Sequence, residues 1–261
     1  MDDRSEPGRV PLPRGIIGED AILALRSPNL SLRYFKFANV FTKNWDGLTY
    51  KYGFLSELVK LSMESQFADA FKTRRELLER IGDGFSLTTA TRLTFGLGYQ
   101  HPIEIGFTFD WTTGLPIIPG SSLKGVALSF AQDNEGICDA GTRSEIFGSK
   151  QKVGRISFLP AYPCVEAGVP FLEVDVMTPH YAPYYNDPNN NPPADWYNPK
   201  PLHFLTVPKG VKYCFRLADR WNFGKRRAES ALLDGACTIL KAALTEVGVG
   251  AKTAVDYGSF E

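Results

Sequence analysis

The feature that most constrains this chain is a change of hydrophobic period at Gly82-Asp83-Gly84. Upstream, Phe67, Ala70, Phe71, Leu77, Leu78 and Ile81 recur at helical spacing. Downstream, Phe85, Leu87, Thr89, Thr91, Leu93, Phe95 and Leu97 alternate with mostly polar partners, the spacing of a half-buried strand. One element cannot serve both periods, so the glycines end a helix and open a strand. Residues 15–84 are therefore read as a mostly helical N-terminal extension, and residues 85–261 as a mixed α+β domain. Residues 1–14, rich in proline, glycine and charge, read as a flexible tail.

Past residue 97 the pattern predicts a second strand over 103–111. An extended piece then ends at Ile117-Ile118-Pro119-Gly120-Ser121-Ser122, where a serine N-cap would start a helix running to about Gln132. Short strands are expected at 155–159 and 171–177, the latter with Leu172, Val174 and Val176 on one face and Glu173 and Asp175 on the other. Residues 202–207 and 211–217 resume the strand pattern, with Val211, Tyr213, Phe215 and Leu217 sharing a face. The clearest helix covers 228–247, with an unbroken apolar stripe through Leu232, Ala236, Ile239, Leu240, Ala243 and Leu244. From Phe85 onward the order is that of a ferredoxin-like (RRM-like) split βαβ unit with hairpin and loop insertions. That fold does not by itself imply RNA binding. Its longest insertion, 178–201, is crowded with proline, asparagine and tyrosine. Loops of that length are functional or disordered, and the aromatics Tyr181, Tyr184, Tyr185 and Tyr197 favour an arm that reaches RNA or a neighbouring subunit.

Lysine and arginine number 29 and are balanced by 29 aspartates and glutamates, which disfavours a free-standing nucleic-acid binder but not a subunit that meets RNA through one face. The polar start, without an apolar signal core, and the lack of any run long enough to span a bilayer suggest a cytoplasmic protein that meets no membrane. Cys138, Cys164, Cys214 and Cys237 are scattered, with no C-x-x-C and no histidine at ligand spacing, so they read as small buried hydrophobes; no metal or cofactor is expected.

Three segments have the chemistry to meet an anion. Gly120, Ser121, Ser122 and Lys124 stand where an extended segment turns into a helix, which makes either a phosphate seat or an ordinary serine cap. Gly248, Gly250, Lys252 and Thr253 turn backbone amides outward, for an anion or simply to close the preceding helix. Lys124 and Lys252 are expected to flank a single phosphate path. The basic, aromatic stretch from Arg220 through Trp221 to Lys225 suits stacking on unpaired bases, or is a solvated loop. A misleading constellation is also present: Ser121-Ser122-Leu123-Lys124, Tyr184-Tyr185-Asn186 and Lys252-Thr253-Ala254 follow the motif order of serine acyl enzymes. The third ends in alanine and too little chain follows for that fold.

Five blocks in order carry a family resemblance: Gly96-Leu97-Gly98 with 114–125, Ile146-Phe147-Gly148-Ser149, Gly154-Arg155-Ile156-Ser157-Phe158, Asp175–Tyr181 (residues 175–181), and 248–253 with Asp256-Tyr257-Gly258. Together they resemble the RAMP superfamily, and within it the subunits that cap type III-B (Cmr) CRISPR effector complexes near the guide-RNA 3′ end. The resemblance implies a ferredoxin-like, non-catalytic subunit that binds guide RNA (crRNA) and meets target RNA and backbone RAMP subunits in antiviral defence. Family loops often carry glycine where Asp256 stands. The alternatives are a RAMP endoribonuclease that processes guide precursors, with His101 or His180 as base, or the serine acyl enzyme. Without catalysis, His101, His180 and Tyr181 are read as possible RNA or subunit contacts.

Overall fold

The computed structural model describes residues 8–10, 29–134, 136–222 and 231–261, and places the change of period where the sequence does. The helical stretch forms α1 (Leu30–Lys36), α2 (Lys51–Leu61) and α3 (Ser65–Ile81). Asn29 caps α1 by accepting a hydrogen bond from the Leu32 N–H. Helix α3 buries Phe67, Phe71 and Leu78 and hands over directly to β1 (Asp83–Thr88). There follow α4 (Gly120–Asp133), α5 (Ala140–Phe147), β2 (Ile156–Phe158), β3 (Tyr162–Pro163), β4 (Glu173–Met177), α6 (Ala182–Asn186), β5 (Leu202–Thr206), β6 (Lys212–Asp219) and α7 (Ala231–Glu246). Short 3-10 turns occupy Arg220–Asn222 and Thr253–Val255.

Strand β6 is the centre of the main sheet. It pairs antiparallel with β1, Asp83 opposite Leu217 and Thr88 opposite Lys212, and on its other edge with β2 and β3. The chain end lies beyond β1, where Thr89 bridges Phe260 and Thr88 exchanges backbone bonds with Glu261. Both faces of β6 are covered. Phe215 meets Phe260 edge-on, on the side where Phe260 N–H bonds Leu244 O of α7. By strand alternation Arg216 points the other way, and it holds Glu79 of α3. Helix α4 packs on α7. Strands β4 and β5 form a separate antiparallel ribbon that leans on α2.

Several expectations change. The run 85–97 is not one strand: it bends at Ala90 and Thr91 and pairs onward only through a bridge from Leu93 to Val207. Residues 103–111 bury Ile103, Ile105, Phe107 and Phe109 as the alternation requires, yet form no strand. Part of their backbone demand is met from α1 instead, where Tyr34 Oη donates to Ile105 O at 2.6 Å. Helix α4 begins at Gly120 with Pro119 as N-cap and no side-chain capping bond, so the serine cap is not made. Strand β4 starts at Glu173, and Val176 at its open end is exposed rather than inward. In the tail, Gly8 N–H bonds Asn39 O and Arg9 bridges Phe41, so this short piece is docked; the rest of 1–14 lies outside the described residues. The four cysteines are free, with Cys214 buried and the other three half-buried. No helix among the described residues is long and apolar enough to cross a membrane.

The hydroxyl of Tyr213, fully buried in β6, has no hydrogen-bond partner among the described residues. An unpaired buried hydroxyl costs about 1 kcal/mol or more. Tyr213→Phe is therefore expected to raise the melting temperature by about 2–4 °C; a lowered melting point would show that the hydroxyl is satisfied.

Candidate nucleic-acid interface

Helix α7 closes when Val247 and Gly248 N–H both bond Ala243 O at 3.0 Å. Gly248 has φ +79 and is buried, so it serves as the helix C-cap and its amide is not offered to a ligand. Beyond it the loop is stapled to the segment after β1: Ala251 N–H bonds Thr94 O at 2.7 Å, Val249 N–H bonds Gly258 O at 2.9 Å, and Gly258 N–H bonds Arg92 O at 2.7 Å. Gly250 takes φ +108, and a Cβ there would stand 2.5 Å from Thr94 O, so only glycine fits. The tip beyond these staples is open, with Thr253, Ala254, Val255 and Asp256 exposed. Among the described residues, the N–H groups of Gly250, Lys252, Thr253 and Ala254 bond nothing in the chain. Lys252 and Asp256 both have left-handed backbone at φ +66, on either side of the 3-10 turn. Outward amides in such kinks make an anion nest.

A polar knot fixes this tip from below. Tyr257 Oη donates to Asp175 Oδ2 at 2.7 Å. Arg92 bridges Glu173 and Asp175 of β4, and Thr206 of β5 donates to Glu173 at 3.2 Å. Burial, then the bond to Asp175, push the Tyr257 phenol up to about 12, so it stays a donor at ordinary pH. The Lys252 ammonium lies 5.9 Å from the Tyr257 ring centroid, a cation–π contact that holds it beside the open amides. Arg92 escaped the sequence reading; there it is one polar position in an alternating run.

The start of α4 is a different place. Ser121 and Ser122 lie in its first turn, both exposed, with Lys124 half-exposed. Gly120 rests against Phe158 O, on the row that joins Asp83, Leu217 and Phe158. The Gly250 loop lies beyond Thr88, at least five residues further along β1, or about 17 Å. Lys124 and Lys252 therefore do not flank one phosphate, and the single shared path gives way to two separate positions. Among the described residues, neither serine hydroxyl bonds a lysine, and Tyr184 sits in the arm on α6, so the acyl-enzyme constellation is not assembled.

His101 is a core residue. Its ring stacks on Tyr34 at 3.8 Å; Nδ1 accepts from Ile103 N–H at 3.2 Å, which leaves Nε2 to donate to Tyr34 O at 2.7 Å. Burial pushes its pKa down to about 4, against the pull of that backbone bond. Both ring nitrogens are engaged within the chain, so it is not a free base. His180 is exposed at the root of the arm, and Tyr181 Oη donates to Asp195 at 3.1 Å. The side chains the arm presents are Tyr185, 72% exposed, and Trp196, 78% exposed, the second missed from sequence. Asp110 is half-buried, which opposes its charge, but bonds from Thr112, Tyr162 and Thr113 outweigh this and hold it at about 2. It anchors a turn. At the end of β6, Arg220 is exposed with its Nε on Ser157 Oγ at 3.1 Å, and Lys225 lies outside the described residues.

Residues 86–261 match the family model of the RAMP superfamily, and the chain belongs to that superfamily. It is 31% identical over 228 residues to the CRISPR system Cmr subunit Cmr6 of Pyrococcus furiosus, covering 65% of each chain. It is 33% identical over 181 residues to the CRISPR system CMR subunit Cmr6 of Saccharolobus solfataricus, covering 68% of this chain and 56% of that one. The chain thus spans less than two thirds of the length of either relative. Its fold resembles a chain in the cryo-EM structure of the type III-B Cmr-β complex bound to cognate target RNA, with a TM-score of 0.57 and 26% identity over 80% of this chain and 71% of that one.

Two outcomes follow from these environments. The folded His101 pKa of about 4 lies below its unfolded value of about 6.5, so the unfolded chain binds the proton more readily. Stability from this site is full above about pH 6.5 and falls as pH drops toward 4. In thermal melts the gap between wild type and His101→Gln is expected to narrow on acidification; a constant gap would count against a buried neutral imidazole. Asp256 holds a left-handed backbone that costs a non-glycine residue about 1 kcal/mol. Asp256→Gly is expected to raise the melting temperature, and an unchanged or lower value would mean that the carboxylate has a stabilising role.

Proposed function

We propose that this chain is a non-catalytic guide-RNA-binding subunit of a type III CRISPR effector of the Cmr kind, capping its backbone near the guide 3′ end. The carrying observation is the open loop tip, where the N–H groups of Gly250, Lys252, Thr253 and Ala254, unbonded among the described residues, stand beside a Lys252 fixed by Tyr257. This is a fixed, sequence-indifferent phosphate seat: phosphate contacts position RNA without reading it. The order chain end, β1, β6, β2, antiparallel throughout with α4 and α7 as the crossovers, supports the ferredoxin-like reading. Helix α3 lies over the sheet face that an RRM-like domain would leave open, which favours contact through loops. The arm at 178–201, with Tyr185 and Trp196 outward, suits a neighbouring backbone subunit or RNA. Metal-free RNA cleavage needs a base within reach of the 2′-hydroxyl. His101 is bonded on both nitrogens, and His180 stands exposed at the root of the arm.

The test is RNA affinity across several salt concentrations, with folding followed by thermal melts. Lys252→Ala is expected to weaken unrelated single strands alike and to reduce the log–log salt slope by about 0.7, the share of one phosphate. Gly250→Val should cost more, because it unseats the loop itself. In a reconstituted complex, His180→Ala should leave target cleavage within a few-fold. Wild-type affinity and slope in Lys252→Ala would remove the loop from the RNA path. A loss of cleavage of about a hundredfold or more in His180→Ala, with assembly intact, would overturn the non-catalytic reading.

A further inference from the structure

Strand β6 leaves the sheet at Asp219, and the turn that follows presents Trp221 with 69% of its surface exposed. One side of the indole is filled, with the Arg155 guanidinium 4.9 Å from the ring centroid. That guanidinium cannot swing away. Its Nε bonds both oxygens of Asp219 at 3.0 Å, a terminal nitrogen bonds Asp219 Oδ2 at 2.6 Å, and the other reaches Glu145 at 3.4 Å. The Trp221 N–H bonds the same Asp219 carboxylate at 3.0 Å. One buried carboxylate thus fixes the indole twice, through its own backbone and through the cation beneath it. Other exposed aromatics lean on rings: Trp111 on Phe35, Tyr185 on Tyr184 and Trp196 on Tyr197.

We infer that Trp221 is a stacking platform for one unpaired base of single-stranded RNA, with Arg220 contacting an adjoining phosphate. This rests on the RNA-binding reading above and names a second, chemically different contact within it. The charge selects the occupant. Arg155 is neutralised by Asp219 and Glu145, whereas Arg220 pairs with no carboxylate among the described residues and keeps donors to spare after its bond to Ser157. An arginine with free donors favours an anionic partner such as RNA phosphate. A rigid aromatic face beside an uncompensated arginine is how proteins hold unstacked bases without reading their identity.

The experiment measures anisotropy of a labelled oligouridylate, and of an abasic oligoribonucleotide of equal length, bound to the full chain. Trp221→Ala is expected to weaken oligouridylate binding about fivefold to a hundredfold, with the salt slope unchanged. Trp221→Phe should restore most of the affinity and Trp221→Leu should not; the abasic strand should bind all forms alike. Lys252→Ala, by contrast, changes the slope. If Trp221→Ala binds oligouridylate like wild type while Lys252→Ala does not, the platform is wrong and the RNA-binding reading stands. If wild type binds neither strand, both fall. If Trp221→Ala binds RNA normally but no longer joins its complex, Trp221 belongs to a protein interface, and the proposal is overturned.

Discussion

The rest of the molecule depends on a strand that has no free face and no free edge. Tyr213, Phe215 and Leu217 of β6 are fully buried on one side; Cys214 and Arg216 meet β3 and α3 on the other; β1 and β2 occupy its edges. A strand in that position can carry no ligand. It sets where ligands can be, because chemistry is left free only beyond its two ends. Past the Lys212 end lies the Gly250 loop, and past the Asp219 end stand Arg220 and Trp221. The eight residues of β6 hold these positions about 23 Å apart.

Charge follows the same logic. The chain is neutral as a whole, and its most engaged arginines are tied to carboxylates. Arg92 ties the segment after β1 to Glu173 and Asp175, and Arg155 ties Asp219 to Glu145. A half-exposed pair such as Arg92 with Glu173 adds little to stability, and the Arg155 fork is anchored on the buried Asp219. Their effect is positional: the Arg92 knot holds Tyr257 under Lys252, and the Arg155 fork holds Trp221. A balanced composition is therefore compatible with RNA binding when carboxylates are placed beneath the contacts rather than beside them.

Elements with a strong local period were legible in the sequence: α3, β6 and α7 fall where apolar spacing put them, β1 takes up only the first part of the alternating run, and the glycines at 248–258 mark a true turn. The failures share a cause. The pattern at 103–111 reports burial, not pairing, and α1 supplies what a strand neighbour would have supplied. Ser121 and Ser122 resembled caps because capping residues precede a helix, but Pro119 already has the extended conformation needed there, and the helix starts at Gly120, before either serine. Arg92 and Arg155 gained their meaning from partners far away in sequence, which no local period encodes. Gly248 and Asp256 were both seen, yet their parts became clear only from the backbone: one closes α7, the other occupies a glycine conformation at the loop end.

The two proposed contacts also bear on how a neutral subunit would hold RNA. A single phosphate seat supplies little affinity, and that little is lost with salt. A stacking face is less sensitive to salt but binds one base weakly. Fixed on one strand, the two proposed contacts would act on a common RNA, and the second would engage at a high effective concentration once the first had formed. Flexible mounting would forfeit that gain, since ordering each contact costs entropy at the moment of binding. The stapled Gly250 loop and the doubly held Trp221 are ordered beforehand, so each contact retains more of its intrinsic strength. Neighbouring subunits bound to the same RNA would extend the effect along the strand, and this subunit need not bind tightly alone in order to be held firmly in an assembly.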